Sequence, residues 1–194
     1  LGGISLAAKQ LKYDPILGVD ICENALKTYA TNIPGATTLL ADITRDNSVD
    51  MITNCVQSKG LEFRDLLFVS GPPCQGFSVV GKGVVDDPRN SIIIQVGYMI
   101  SILRPKAALV ENVSNISNSK YSFIVNEFLT YVKDSGYHVC DIELNASDYG
   151  VPQNRQRVAF IGCRNDQELI TDIPRTVDTE DLVTAAEAIG DLNY

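Results

Sequence analysis

Short runs rich in β-branched residues alternate with amphipathic stretches along most of the 194 residues, and this alternation constrains the fold more than any other feature. Strands are expected at Ile16–Asp20, Thr37–Leu40, Leu66–Ser70, Ala107–Glu111, His138–Leu144 and Arg157–Cys163. Helices are expected at Ile4–Lys12, Glu23–Asn32, Val49–Ser58, Ser91–Leu103 and Tyr121–Asp134. Strand and helix in turn imply crossover connections, hence an α/β fold with a mostly parallel sheet and helices on both faces. The last two strands are joined only by "NASDYGVPQNRQ", too short for a crossover helix, and should form an antiparallel hairpin at one edge. From Asp166 the chain turns polar and acidic, with one short helical pattern near Val183–Ile189. The expected division is a body at 1–165 and a tail at 166–194.

Composition removes several classes of function. The five cysteines are odd in number and lack any C-x-x-C spacing, which argues against a disulfide framework. His138 is the only histidine, so a zinc site and any other metal site are not expected. Free thiols suit a reducing cytoplasm, and no apolar run is long enough to span a bilayer. A net charge of −8 argues against a surface that binds nucleic acid everywhere. Between Val151 and Arg164, however, there are three arginines and no acid.

Open α/β sheets bind ligands beyond the carboxyl ends of their strands. Asp20, Asp42, Cys74 and Glu111 all fall at or just after such ends in the expected order. Gly2-Gly3 before a helix, with Asp20 downstream, fits a nucleotide-binding turn followed by an acid for ribose hydroxyls. The same residues equally make a plain turn and a strand-closing acid. In "VSGPPCQGFS", Pro72 and Pro73 stiffen the backbone before Cys74, while Gly71 and Gly76 permit close approach of a ligand. That setting suits a held nucleophile better than a buried structural thiol. "LVENV" adds Glu111, a helix cap or a proton source for attack on a ring. In "QNRQR", period-two alternation would put Gln153, Arg155 and Arg157 on one face, to guard an edge strand or to read a base or phosphate.

The ordered set "GPPCQGFS", "ENV", "GVPQNRQR" resembles the cytosine-C5 DNA methyltransferases, and the resemblance runs along nearly the whole chain. It implies a Rossmann-like methyltransferase fold, S-adenosylmethionine as cofactor and double-stranded DNA as substrate. Gly2 and Gly3 match the end of the family's glycine-rich cofactor motif. Asp20, followed by Ile21, stands where the family places an acid for the ribose, although that acid is usually glutamate. Asp42-Ile43 match the pair that contacts adenine, and Pro72 opens the loop between cofactor and base. Pro73-Cys74-Gln75, with Ser78, match the catalytic loop, Glu111-Asn112-Val113 the base-binding motif, and Gln153, Arg155 and Arg157 the Q-x-R-x-R motif. "DDPRN" and the tail "AIGDL" fit as well.

By this resemblance the Cys74 thiolate adds to C6 of a flipped-out cytosine and makes C5 nucleophilic. Glu111 would hold the N3 side of the ring, Arg157 its O2, and Arg155 the loop or a phosphate. The family's first strand, its target-recognition region and its closing helix are expected outside these residues, which would account for the acidic balance. A cognate restriction endonuclease acting on the same site is an expected partner. The expected location is a bacterial cytoplasm, at the nucleoid, or a nucleus if the source is eukaryotic.

Four rivals fare worse. A cysteine hydrolase would need His138 as base, yet that residue opens a late strand at the opposite rim. One RNA family carries a second cysteine where Glu111 stands. The tRNA methyltransferases share more motifs and are the main alternative, although Gly76-Phe77-Ser78 favours DNA. A non-catalytic paralogue would be expected to lose Cys74 or the E-N-V, and both are present.

Overall fold

A computed structural model describes residues 2–73 and 91–192; Cys74, Gln75 and Ser78 lie outside them. In chain order the elements are α1 (Gly3–Gln10), β1 (Leu17–Asp20), α2 (Glu23–Asn32), β2 (Thr37–Leu40), α3 (Ser48–Gln57) and β3 (Leu67–Ser70). There follow α4 (Ile92–Leu103), β4 (Ala107–Val113), α5 (Ser122–Asp134), β5 (Tyr137–Asn145), β6 (Gln156–Arg164) and α6 (Ala185–Ile189). The fold is α/β, as expected. Among the described residues no helix is long and apolar enough to cross a membrane.

Hydrogen bonding divides the strands into two groups. β1 and β2 pair in parallel, and a four-stranded sheet runs in the order β3-β4-β6-β5. β3 and β4 are parallel, whereas β6 lies antiparallel to both β4 and β5. The expected terminal hairpin is therefore present, with β5 at the edge and β6 inside.

Alternating side chains send one strand face to each layer. On β1, a Cβ at Gly18 would meet the Tyr29 ring of α2, while Leu17 and Val19 pack on the other side against Ile52 of α3 and Met99 and Leu103 of α4. Phe68 of β3 joins that same apolar cluster, which ties the two strand groups together. The larger core lies under α4 and α5, where Ile93, Val96, Ile124 and Phe128 meet Ala108, Val110, Val158 and Phe160. Phe128 and Phe160 pack edge to face with centroids 5.2 Å apart. Ile43 packs against both clusters, which anchors the turn after β2.

The sequence of α4, "IIIQVGYMISIL", buries most of its surface, and its one glycine sits at the closest approach to α5. A Cβ at Gly97 would lie 2.9 Å from both the Phe128 carbonyl oxygen and its ring. Gly97→Ala should therefore be destabilising: overpacking costs about 1–3 kcal/mol, against a helix-propensity gain of about 1 kcal/mol. A urea midpoint that rises in this variant would show that α4 and α5 separate freely.

Candidate active site

The rim at the carboxyl ends of the strands carries most of the residues of interest. Asp20 closes β1 and is exposed; its Oδ1 accepts the Cys22 amide at 2.8 Å, an arrangement that turns the chain into α2. Its carbonyl accepts the Ala41 amide at 3.1 Å, so the ends of β1 and β2 are bonded side by side. Asp42 follows at once. Its Oδ1 takes the Thr44 hydroxyl at 2.7 Å and the Thr44 amide at 3.0 Å, and Oδ2 lies 3.5 Å from Arg45. These bonds from Thr44 hold the Asp42 carboxyl below its usual range. Ile21 is exposed beside Asp20, and Ile43 is tucked into the core. The two acids thus present acceptors only, next to an apolar side chain.

Gly2, at the N-terminus of α1, has φ +88° and packs on Tyr29 and Ile33 of α2, so a larger residue there would be both strained and crowded. Around Gly3 there is open space. The hydrogen bonds of Asp20 run to Cys22 and Ala41 rather than to this glycine pair.

The other half of the site is built by β3, β4 and β6. Glu111 does not end β4 as expected: the strand continues to Val113, because Asn112 and Val113 still pair with Val158 and Arg157. Register places Glu111 opposite Ala159 and two positions from the Val113–Arg157 pair, so Glu111 and Arg157 share a face. Arg157 Nε donates to Glu111 Oε1 at 2.7 Å, and Arg157 Nη1 donates to the Gln156 carbonyl at 2.7 Å. The other Glu111 oxygen, Oε2, lies 3.6 Å from where a Cβ at Gly71 would stand. That glycine directly follows β3 and precedes Pro72, Pro73 and Cys74. One carboxylate oxygen is therefore locked and the other is turned toward the backbone that leads into the cysteine loop.

Asn112 points to the opposite face, toward α4 and α5, and is 1% exposed. Its Oδ1 accepts the Val113 amide at 2.8 Å, while its Nδ2 has no partner among the described residues. The alternation expected for Gln153, Arg155 and Arg157 does not hold, because β6 begins only at Gln156. Gln153 and Arg155 lie in the preceding loop, where the Gln153 amide donates to the Val151 carbonyl at 2.7 Å. The Asn145 side chain closes that loop: its Oδ1 accepts the Arg155 amide at 2.9 Å and its Nδ2 donates to Asn154 Oδ1 at 2.9 Å.

Asn145, Tyr149 and the tail residue Ile173 were not singled out by sequence reasoning. With Leu144, Ala146, Arg155 and Arg157, Tyr149 and Ile173 line a largely apolar cavity of about 320 Å³. Two asparagines and Gly150 in the connector are a local signal for a stapled loop. The contact with Ile173 has no local signal, since it arises from a distant segment.

The profile of the family "C-5 cytosine-specific DNA methylase" matches residues 1–193. A Type II methyltransferase, M.DdeI of Desulfomicrobium norvegicum, is 36% identical over 98% of this chain and 46% of its own length. The Type II methyltransferase M.XorII of Xanthomonas oryzae pv. oryzae is 32% identical over 98% of this chain and 44% of its own. The chain thus spans just under half the length of these two relatives. Among solved structures, a protein described as a DNA modification methyltransferase encoded within an E. coli prophage superposes with a TM-score of 0.81 at 31% identity. That match covers 99% of this chain and 52% of the other. Spodoptera frugiperda DNMT2 superposes with a TM-score of 0.65 at 26% identity, covering 89% of this chain and 52% of the other. With a profile match across nearly every residue and relatives above 30% identity, the chain belongs to the C-5 cytosine-specific DNA methylase family.

Proposed function

We propose that the protein carrying this chain transfers a methyl group from S-adenosylmethionine to C5 of a flipped-out cytosine in double-stranded DNA, with Cys74 as nucleophile. The observation that carries this reading is the Glu111–Arg157 pair, one carboxylate oxygen bonded at 2.7 Å and the other facing Gly71 at the approach to Cys74. A cytosine seated there would meet a sulfur on one side and a fixed carboxylate at its N3 edge.

The rim of β1 and β2 fits the cofactor by the chemistry of its donor set. Ribose hydroxyls and the adenine amino group are donors, and Asp20 and Asp42 offer acceptors beside an exposed Ile21. In this reading Asp20 takes the ribose, and Asp42-Ile43 border the adenine. Gly3, with open space around it, lets a ligand come close to the backbone, and Gly2 and Pro72 border the same pocket. When bound, the cofactor supplies an electrophilic methyl group.

The chain's own residues prepare the ring. The Cys74 thiolate forms a bond to C6, and the C5–C6 π electrons shift through C4 toward N3, which takes a proton from Glu111 acting in its carboxylic acid form. Arg157, whose guanidinium has five N–H donors, keeps Glu111 in place and has further donors for O2. Once C5 has taken up the methyl group, a solvent water removes the C5 proton. Its electron pair re-forms the C5–C6 double bond as the sulfur–C6 bond breaks to release the thiolate, and the N3 proton returns to Glu111. Pro73, Gln75 and Ser78 shape the loop around the base, and Gln153 and Arg155 face the neighbouring backbone. Asn112 and Val113 act through the end of β4, since the Asn112 side chain bonds the Val113 amide. The relatives are named Type II methyltransferases; in this reading, methylation by the present protein protects a DNA site from a cognate endonuclease.

The test uses the full-length protein, cofactor labelled in its methyl group, mixed-sequence duplex DNA and a tRNA pool. Label should enter cytosine C5 of the duplex at one defined sequence. Label in tRNA alone would overturn the choice of DNA, and label in neither would overturn the reading. In the same protein Asp20→Ala should weaken cofactor binding about ten- to a hundred-fold, since hydrogen bonds to a charged group contribute about 1.5–3 kcal/mol. An unchanged cofactor affinity would remove Asp20 from the site.

A further inference from the structure

The loop that carries Arg155 is held from two sides. Its inner side is closed by Asn145, as described, and by the Ala146 amide on the Arg155 carbonyl at 3.0 Å. Its outer side is gripped by a segment that follows β6. The Thr176 and Val177 amides both donate to the Asp148 carbonyl, at 3.1 and 3.2 Å. Arg175 Nε lies 3.3 Å from Asp148 Oδ2, and the Tyr149 hydroxyl donates to the Ile173 carbonyl at 3.1 Å. Upstream, Cys163 Sγ donates to the Gln167 carbonyl at 3.6 Å and Cys140 Sγ to the Ile170 carbonyl at 3.2 Å. Register puts Cys140 opposite Ile161, and Cys163 two residues beyond it, so both thiols share the face that bears Glu111 and Arg157. Residues 167–177 therefore travel along that face toward the rim with the arginines.

Burial of apolar surface does not explain this course. Ile170 is 61% exposed, and Arg175 is exposed as well, so an ion pair to Asp148 contributes little to stability by itself. The polar contacts instead converge on two consecutive residues, Asp148 and Tyr149, just before the loop turns at Gly150 (φ +78°). Ile173 then forms one wall of the cavity that the Arg155 and Arg157 side chains also line.

We propose that residues 167–177 form a strap that sets the position of the Arg155–Arg157 loop, with Asp148 and Tyr149 as the positioning residues through which it acts. This rests on the reading of Arg155 and Arg157 as groups that face the substrate. It adds a segment outside every motif to the machinery that orients them.

Thr176→Pro deletes one of the two amides on Asp148, and Thr176→Ala keeps it. Tyr149→Phe removes the bond to Ile173 and serves where the proline variant does not fold. In the full-length protein, amide hydrogen exchange across residues 146–155 should quicken about five-fold or more in the proline and phenylalanine variants, the loss expected for one hydrogen bond. It should stay at the wild-type rate in Thr176→Ala. The Michaelis constant for DNA should rise about five- to ten-fold in the first two variants, with that for the cofactor unchanged. Unaltered exchange in both variants would overturn the strap, whether or not the protein methylates DNA. Faster exchange with both Michaelis constants raised alike would reduce the segment to scaffold and overturn its positioning role. A wild-type protein that methylates no DNA would refute the function proposed above, and the exchange measurement alone would then decide the strap.

Discussion

Cys74→Ala should abolish methyl transfer in the full-length protein. The other cysteines offer no substitute. Burial pushes the thiols of Cys140 and Cys163 above their ordinary range, and both donate to carbonyls of the strap, which requires the protonated form. Cys22 directly precedes α2, and Cys55 lies within α3. Cys74 alone follows Gly71, toward which Oε2 of Glu111 is turned. Loss of a covalent nucleophile commonly lowers turnover by about 10⁴-fold or more, so residual activity should be undetectable. Duplex DNA with 5-fluorocytosine gives a second readout. Fluorine cannot leave C5 as a cation, so the adduct between sulfur and C6 persists once methyl transfer has occurred. Wild-type protein should form a complex that survives denaturing electrophoresis, and Cys74→Ala should form none. An adduct in the variant would assign the attack to another residue.

Glu111→Gln should lower kcat by about 10²–10⁴-fold, the usual contribution of a positioned acid or base. The substitution preserves shape and leaves an oxygen for the Arg157 contact now made at 2.7 Å, but removes the ability to give and retake a proton. DNA affinity, measured by filter binding without cofactor, should change far less, because Glu111 acts on a ring already extruded. Arg157→Lys should fall between the two enzymes: the charge remains, yet the planar fork that holds both Glu111 and the Gln156 carbonyl is gone. A kcat for Glu111→Gln within ten-fold of wild type would mean that another group supplies the proton.

Much of the fold was readable in advance where local chemistry is strong. The bounds of α2 and β2 coincide with expectation because Pro34-Gly35 ends one and opens the way to the other. The end of β4 was misplaced for a physical reason. A polar residue such as Glu111 is compatible with a strand when its side chain faces outward and its backbone pairs, here with Ala159. Alternation likewise failed at Gln153 and Arg155, since the Asn145 side chain captures the Arg155 amide before the β6 ladder begins. The division of the strands into two hydrogen-bonded groups depends on which strands become neighbours, and no local pattern encodes that. The tail read as polar and acidic with one short helical pattern, and its composition gave no sign of a contact with the body. Its grip on Asp148 combines one exposed ion pair from Arg175 with two backbone amides, which every residue but proline possesses, so side-chain identity announced little of it.

The reversed direction of β6 has a further effect on how this molecule assembles. Glu111 and Arg157 are remote in sequence, and they meet because Val113 faces Arg157 in the β4–β6 ladder. A shift of that ladder by one residue would turn Arg157 to the side of α4 and α5, among Val110, Ile124 and Phe128. A guanidinium buried there without a carboxylate would be strongly unfavourable. The pair that orients the substrate thus also penalises wrong alignments while the sheet forms, and a chain that has closed its ladder in the proper register arrives with its acid already aimed.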